Sequence, residues 1–296
     1  MSMQIEVSSA AIVVIGAGTM GAGIAFVAAQ SGHRVTIVDS SHSGLQRGRS
    51  LVAEMTKAAR SRGLIDDAGC SALAERIVYT TQLGQVSAAD IIIEAVVEDL
   101  DVKAQLIETA CSQMAPNAIF ATNTSSLSVA KLAGYCPLAE RFVGLHFFNP
   151  VPAMKLVEVI PGPDTASDVI DDLAALMKSW RKVPVVARDV PGFIVNNVAR
   201  PYYGEAFVAL EEGLSPCSID ALLCGAGGFR MGPLALADMI GHDVNYAAAS
   251  SVYEGRNGIV RFRPSPVQAS LVERGLLGHK VGRGVYDAFQ APPAVQ

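Results

Sequence analysis

Charge is scarce in this chain of 296 residues: Asp, Glu, Lys and Arg make up 17% of it, aromatic residues 6%, and tryptophan occurs once. Half of the residues are apolar, which excludes the highly charged, weakly hydrophobic compositions whose chains stay disordered. Basic residues are outnumbered, 23 Lys and Arg against 28 Asp and Glu. A nucleic-acid binder uses a surplus of cations to displace counterions from phosphates, so nucleic acid is not an expected partner. Cysteine is sparse and unpatterned. Cys70, Cys111, Cys136, Cys217 and Cys224 include no C-x-x-C pair and have no histidine at metal-ligand spacing. They read as reduced thiols of a cytoplasmic protein, and no metal is expected. The uncharged stretch 10–29 has roughly the length of a membrane span. It is interrupted by Gly16, Gly18, Gly21 and Gly23 and preceded by Glu6 without any Lys or Arg, so neither a span nor a signal peptide is expected.

What is present is rhythm. The first 190 residues alternate short β-branched runs with longer helical patterns, as in a parallel sheet covered by helices. Strands are predicted at 11–15, 35–38, 77–80, 91–96, 118–121, 141–146, 155–160 and 183–187. Between the second and third, a span too long for a plain loop carries Leu45, Val52, Met55 and Ala59 at helical spacing and reads as an inserted helical pair. After Pro191-Gly192 the strands stop. Residues 193–212 carry a long helical pattern, followed by short helices broken at glycine and proline. The expected fold class is an α/β Rossmann-type doubly wound sheet with an inserted helical pair, residues 1–189, followed by an all-α C-terminal domain, residues 190–296. The polar start and the tail after Phe289 are expected to fray.

The run from Ala11 to Ala25 reads as a strand entering Gly16-x-Gly18-x-x-Gly21 and then a helix. The first glycine permits the tight turn, the second lets backbone N–H groups approach a pyrophosphate, and the third packs the helix on the strand. Alone the pattern also fits an ordinary βα turn. The next strand, however, ends in Asp39, eighteen residues after Gly21, where an acid binds a ribose 2'-hydroxyl. That carboxylate would repel a 2'-phosphate, and Ser40, Ser41 and His42 follow it instead of arginines, so NAD is favoured over NADP.

Strand parity singles out a second constellation. On a strand at 155–160, Glu158 shares a face with Leu156 and Ile160, where a lone charge is costly and a partner is required. His146 ends the preceding strand. A carboxylate-held imidazole is a natural general base, although a histidine among apolar residues is more often part of a core.

These residues resemble the short-chain L-3-hydroxyacyl-CoA dehydrogenase family. The resemblance covers nearly the whole chain, through the Gly16 to Gly21 turn, Glu94-Ala-Val-Val-Glu98-Asp99, Thr122-Asn-Thr-Ser-Ser-Leu127, His146-Phe-Phe-Asn-Pro-Val-Pro152, Pro191-Gly-Phe-Ile-Val-Asn196, Met231-Gly-Pro-Leu234 and Gly278-His-Lys-Val-Gly-Arg-Gly284. It implies NAD-dependent, reversible oxidation of a 3-hydroxyacyl-CoA, with His146 and Glu158 as the catalytic pair and Ser125 and Asn196 near the substrate's 3-oxygen. Without the resemblance, Ser125 would read as a helix N-cap and Asn196 as a polar helix residue. It also implies NAD contacts at Gly16, Gly18, Thr19, Met20, Gly21, Asp39, Glu98, Lys103, Ser125, Asn149 and Lys280; by pattern alone, Lys103 is a solvated helix residue. Lys57, Arg60 and Arg62 resemble a CoA-contacting hairpin, with a solvated charged face as the alternative.

Two positions stand apart. Many relatives carry arginine where this chain has Asn197. The segment 227–245 is similar to the 3-hydroxyadipyl-CoA branch, which makes Arg230 a candidate partner for a distal carboxylate; equally, it could bond a nearby carbonyl or a partner subunit. Apolar helices at 234–240 and 244–252 suggest a homodimer. Two rival functions are weighed: a dehydrogenase of a non-CoA 3-hydroxy acid or carnitine-like substrate, and a noncatalytic, crystallin-like NAD-binding protein.

Overall fold

The computed structural model describes residues 10–289; the polar start and the tail lie outside them. Contacts divide the chain after Asp189 into two compact units.

The N-terminal unit is built on one eight-stranded sheet in the order β3-β2-β1-β4-β5-β6-β7-β8. The strands are β1 (Ile12–Ile15), β2 (Val35–Val38), β3 (Ile77–Thr80), β4 (Ile91–Glu94), β5 (Ile119–Thr122), β6 (Phe142–Phe147), β7 (Leu156–Pro161) and β8 (Val183–Val186). β1, β4 and β5 are buried at every position, as strands covered on both faces must be. All neighbours pair in parallel except β6 and β7. Every predicted strand is present, with ends shifted by a residue or two. β4 stops at Glu94 instead of Val96, because the Val96 N–H donates to Glu94 Oε1 at 2.7 Å and the chain leaves the ladder.

The helices of this unit are α1 (Thr19–Gln30), the inserted pair α2 (His42–Ser61) and α3 (Asp67–Arg76), α4 (Leu100–Cys111), α5 (Val129–Ala133) and α6 (Ser167–Ser179). α2 buries Leu45, Val52 and Ala59 on one side, the stripe its spacing requires. Strand order reverses at β1, which lies between β2 and β4. In such sheets the carboxyl ends of these strands border a ligand crevice.

The C-terminal unit is helical: α7 (Val195–Glu211), α8 (Pro216–Gly225), α9 (Pro233–Ile240), α10 (His242–Gly255), α11 (Pro266–Glu273) and α12 (Val285–Ala288). Its core gathers Tyr203, Phe207 and Leu210 of α7 with Ile219, Leu234, Leu271 and Val285.

Candidate active site

At the carboxyl end of β1 the chain turns so tightly that only glycine fits. Gly16 has φ +105°, and a Cβ there would lie 2.6 Å from the Ala95 carbonyl oxygen; a Cβ on Gly21 would lie 1.8 Å from the Gly16 oxygen. At Gly18 a Cβ would meet nothing within 4 Å, and Gly18 lines an open groove with Ala17 and Thr19 at the N-terminal end of α1, where phosphate can approach. Asp39, the residue just after β2, is stitched to this turn. Its Oδ2 accepts from the Ala17 N–H at 3.0 Å, and its Oδ1 accepts from the Ser41 N–H and hydroxyl at 3.0 and 3.1 Å. The half-exposed carboxylate is thus fixed beside the glycine turn, and this donor set fits a dinucleotide.

The antiparallel register of β6 and β7 sets His146 directly opposite Glu158. His146 Nδ1 lies 2.7 Å from Glu158 Oε2, with the two residues 6% and 0% exposed. The partner that parity demanded for Glu158 is therefore His146. The imidazole also packs on Phe148, with ring centroids 4.5 Å apart, and the Phe147 N–H donates to Asn123 Oδ1 at 2.8 Å. β6 thereby holds to the loop after β5.

That loop contains Ser125 and is gathered by one carboxylate. Glu98 Oε1 accepts from the Thr124 hydroxyl, the Ser125 N–H and hydroxyl, and the Ser126 N–H and hydroxyl, at 2.7 to 3.1 Å. Burial alone would raise the Glu98 pKa; the Lys103 ammonium and these hydrogen bonds outweigh it and hold the carboxyl below its usual range. Lys103 Nζ stands 3.4 Å from Glu98 Oε2 and 2.6 Å from Glu94 Oε1. Glu94 is completely buried and also accepts from the Thr122 hydroxyl at 2.7 Å.

Residues 11–190 match the family described as 3-hydroxyacyl-CoA dehydrogenase, NAD binding domain, and residues 192–288 match 3-hydroxyacyl-CoA dehydrogenase, C-terminal domain. The chain belongs to the 3-hydroxyacyl-CoA dehydrogenase family. It is 46% identical to a 3-hydroxyadipyl-CoA dehydrogenase of Escherichia coli K12 over 96% of its own length and 60% of that protein's. It is 37% identical to the mitochondrial hydroxyacyl-coenzyme A dehydrogenase of Sus scrofa, over 93% of this chain and 90% of the relative. Among solved structures, it superposes on the 3-hydroxybutyryl-CoA dehydrogenase of E. coli K12 with TM-score 0.90 and 45% identity, covering 97% of this chain and 61% of that one. On the Ralstonia eutropha (S)-3-hydroxybutyryl-CoA dehydrogenase the TM-score is 0.88 at 38% identity, covering 94% and 98%. The chain thus spans about three fifths of the two E. coli proteins.

In this member of the 3-hydroxyacyl-CoA dehydrogenase family, the remaining candidate residues fall into three groups. Thr19 and Asn149 line one groove of about 280 Å³ with Gly23, Leu51 and Met55, and Met20 packs against the core under the glycine turn. The basic residues of the helical pair are not gathered into one cluster. Lys57 and Arg60 line a groove of about 470 Å³ between α2 and α3, while Arg62 lines a separate one beside Pro150 and Pro152. Arg60 is moreover paired with Asp67 at 2.6 Å. In the C-terminal unit, half-buried Asn196 stands in the first turn of α7. Lys280 forms an ion pair with Asp243, Nζ to Oδ2 2.6 Å. Arg230 is exposed on the loop between α8 and α9.

Two readings from pattern alone need correction, and one departure from the family finds its replacement. Lys103 is not a solvated helix residue: it is 1% exposed, drawn inward by two carboxylates. The N-cap of α5 is Ser128 and not Ser125, because Ser125 is turned toward Glu98. The missing arginine at position 197 is replaced within the C-terminal unit. Asn197 Nδ2 donates to the carbonyls of Pro191 and Phe193 at 2.8 and 2.6 Å, and its Oδ1 accepts from Arg256 at 2.8 Å.

Sequence reasoning passed over two residues that shape the site. Glu94 ends an Ile-Ile-Ile-Glu strand, and the cost argument applied to Glu158 applies equally to it. Lys182 is buried and donates to the carbonyls of Val151 and Met154 at 2.5 and 2.7 Å, which holds the loop after Asn149. Nothing in its sequence neighbourhood signals that role.

Proposed function

We propose that the protein is an NAD-dependent dehydrogenase that oxidises L-3-hydroxyacyl-CoA to 3-oxoacyl-CoA, reversibly. The observation that carries this reading is the buried His146–Glu158 contact in a chain of this family. Glu158 accepts the Nδ1 proton of His146, which fixes the tautomer and orients the ring. Nε2 then takes the proton of the 3-hydroxyl, and Glu158 stabilises the imidazolium formed. Ser125 and Asn196 hold the 3-oxygen so that C3 is aligned for reaction. The glycine turn from Gly16 to Gly21, with Thr19 and Met20, would hold the pyrophosphate, Asp39 the ribose, and Glu98, Ser125, Asn149 and Lys280 the remainder. Lys103 acts through Glu98. The chemistry NAD supplies when bound is acceptance of the hydride from C3. Lys57 and Arg62 would receive phosphates of CoA.

The test is NADH formation with 3-hydroxybutyryl-CoA, 3-hydroxyadipyl-CoA and free 3-hydroxybutyrate. Turnover of the thioesters alone is expected. Equal turnover of the free acid would remove the CoA reading, and no turnover with any of them would favour a noncatalytic binding protein.

A dicarboxylyl tail is a second reading, favoured by the loop around Arg230. Phe229 packs on Tyr202 with ring centroids 4.6 Å apart, and the Tyr202 hydroxyl donates to the Met231 carbonyl at 2.7 Å. A tyrosine hydroxyl is already a donor at neutral pH, and burial pushes the Tyr202 pKa further up. The loop is anchored while Arg230 stays exposed, poised for a charge-assisted contact. Arg230→Met should lower the kcat/KM ratio of 3-hydroxyadipyl-CoA over 3-hydroxybutyryl-CoA by about tenfold; an unchanged ratio would end this reading.

The partner is a second copy of the chain, supported by apolar side chains in the open on the C-terminal unit: Val198 71%, Val244 54% and Met239 50% exposed. The place of action is the cytoplasm, where thiols such as the five unpaired cysteines stay reduced. No helix among the described residues is long and apolar enough to cross a membrane.

A further inference from the structure

Each donor and acceptor of the Asn197 amide is engaged within the C-terminal unit. Nδ2 donates to the carbonyls of Pro191 and Phe193 at 2.8 and 2.6 Å, and Oδ1 accepts from Arg256 Nη2 at 2.8 Å. Reversing the amide would turn its oxygen toward two carbonyls and its donors toward a guanidinium, so one orientation alone fits. The two carbonyls flank a turn in the left-handed region. Gly192 has φ +81° and Phe193 has φ +45°, a conformation that strains a bulky residue and persists only where its surroundings hold it. Phe193 is 4% exposed, and the Asn197 hydrogen bonds are part of what holds it.

The same turn is the seat of Asn196. A Cβ on Gly192 would lie 3.1 Å from Asn196 Cβ and 3.3 Å from Asn197 Nδ2, so Asn196 packs directly on the backbone that Asn197 fixes. Gly255, the last residue of α10, meets Pro191 so closely that a Cβ there would lie 2.8 Å from the proline side chain, and Arg256 follows it. The N-cap of α7 is Ile194, whose side chain has no group that could cap a helix; the side chain of Asn197 ties down this first turn instead. We propose, on the reading that Asn196 meets the 3-oxygen of the substrate, that Asn197 and Arg256 are positioning residues: together they fix the Gly192–Phe193 turn and, through it, the direction in which Asn196 presents its amide. A shift of Asn196 by about 1 Å would be felt in kcat, because the reacting carbon is aligned through the 3-oxygen.

A double-mutant cycle in the full-length protein tests this, with kcat and KM for 3-hydroxybutyryl-CoA and NAD affinity as readouts. Asn196→Ala alone should lower kcat by ~10². Asn197→Ala should lower kcat by about tenfold and leave NAD affinity as in the wild type. In the Asn196→Ala background the same change should lower kcat by less than about twofold, because the group it positions is gone. Arg256→Met removes the donor to Asn197 together with a buried Nε that has no acceptor. It should lower kcat by about threefold, again only while Asn196 is present, and it decides the matter if Asn197→Ala does not fold. A merely structural role would lower the unfolding midpoint with kcat unchanged, or would multiply the losses in the double variant; either result would overturn the proposal. Near-normal turnover by Asn196→Ala would remove the reading of Asn196 and the positioning role with it. A large loss in Asn196→Ala beside normal turnover in Asn197→Ala and Arg256→Met would overturn the positioning role alone.

Discussion

Asp39 performs two tasks with one carboxylate: it ties the glycine turn to the start of α2 and presents a negative charge where a ribose would lie. NAD should therefore bind at least ~10-fold more tightly than NADP, a gap of about 1.4 kcal/mol or more. Fluorescence titration of both cofactors checks this, and equal affinities would contradict it. Asp39 and the His146–Glu158 pair were legible in the sequence for physical reasons. An acid at the end of the second strand has a fixed distance from the glycine turn, and parity puts Glu158 on an apolar face where it must find a partner. Lys103 was not legible. Its neighbours on α4 are ordinary helix formers, and what draws it inside is Glu94, on a strand nine residues earlier.

At the scale of elements, the Glu94–Lys103–Glu98 chain joins the end of β4 to α4 and, through the 124–126 turn, to the loop after β5. Lys103→Met leaves Glu94 buried without its cation, which should destabilise the protein by about 3 to 5 kcal/mol. Chemical denaturation measures this; a change below about 1 kcal/mol would mean that the network does not hold the loop. The strands were readable because β-branched runs in a covered parallel sheet have little alternative. The antiparallel pairing of β6 with β7 agrees with the eight-residue link between them, residues 148–155, which is too short for a parallel crossover. What the sequence concealed is long range. Asp189, at the end of the N-terminal unit, accepts from the Ser128 hydroxyl and the N–H groups of Val129 and Ala130 at 2.7 to 3.0 Å. It thus caps α5 from about sixty residues away, a contact that no local pattern announces.

For the whole molecule, the proposed homodimer rests on the exposed apolar side chains of α7, α9 and α10 and on the frequency of that assembly. Light scattering at micromolar concentration should give twice the chain mass, and a monomer would contradict the assignment. The central claim is that the His146–Glu158 contact is a working general base and not a core ion pair. Its most direct test is steady-state turnover of 3-hydroxyacyl-CoA by His146→Gln and Glu158→Gln, with NAD affinity measured on the same preparations. The expected result is kcat lowered by ~10² or more in each variant with NAD binding little changed. Near-normal turnover in either folded variant would contradict the account.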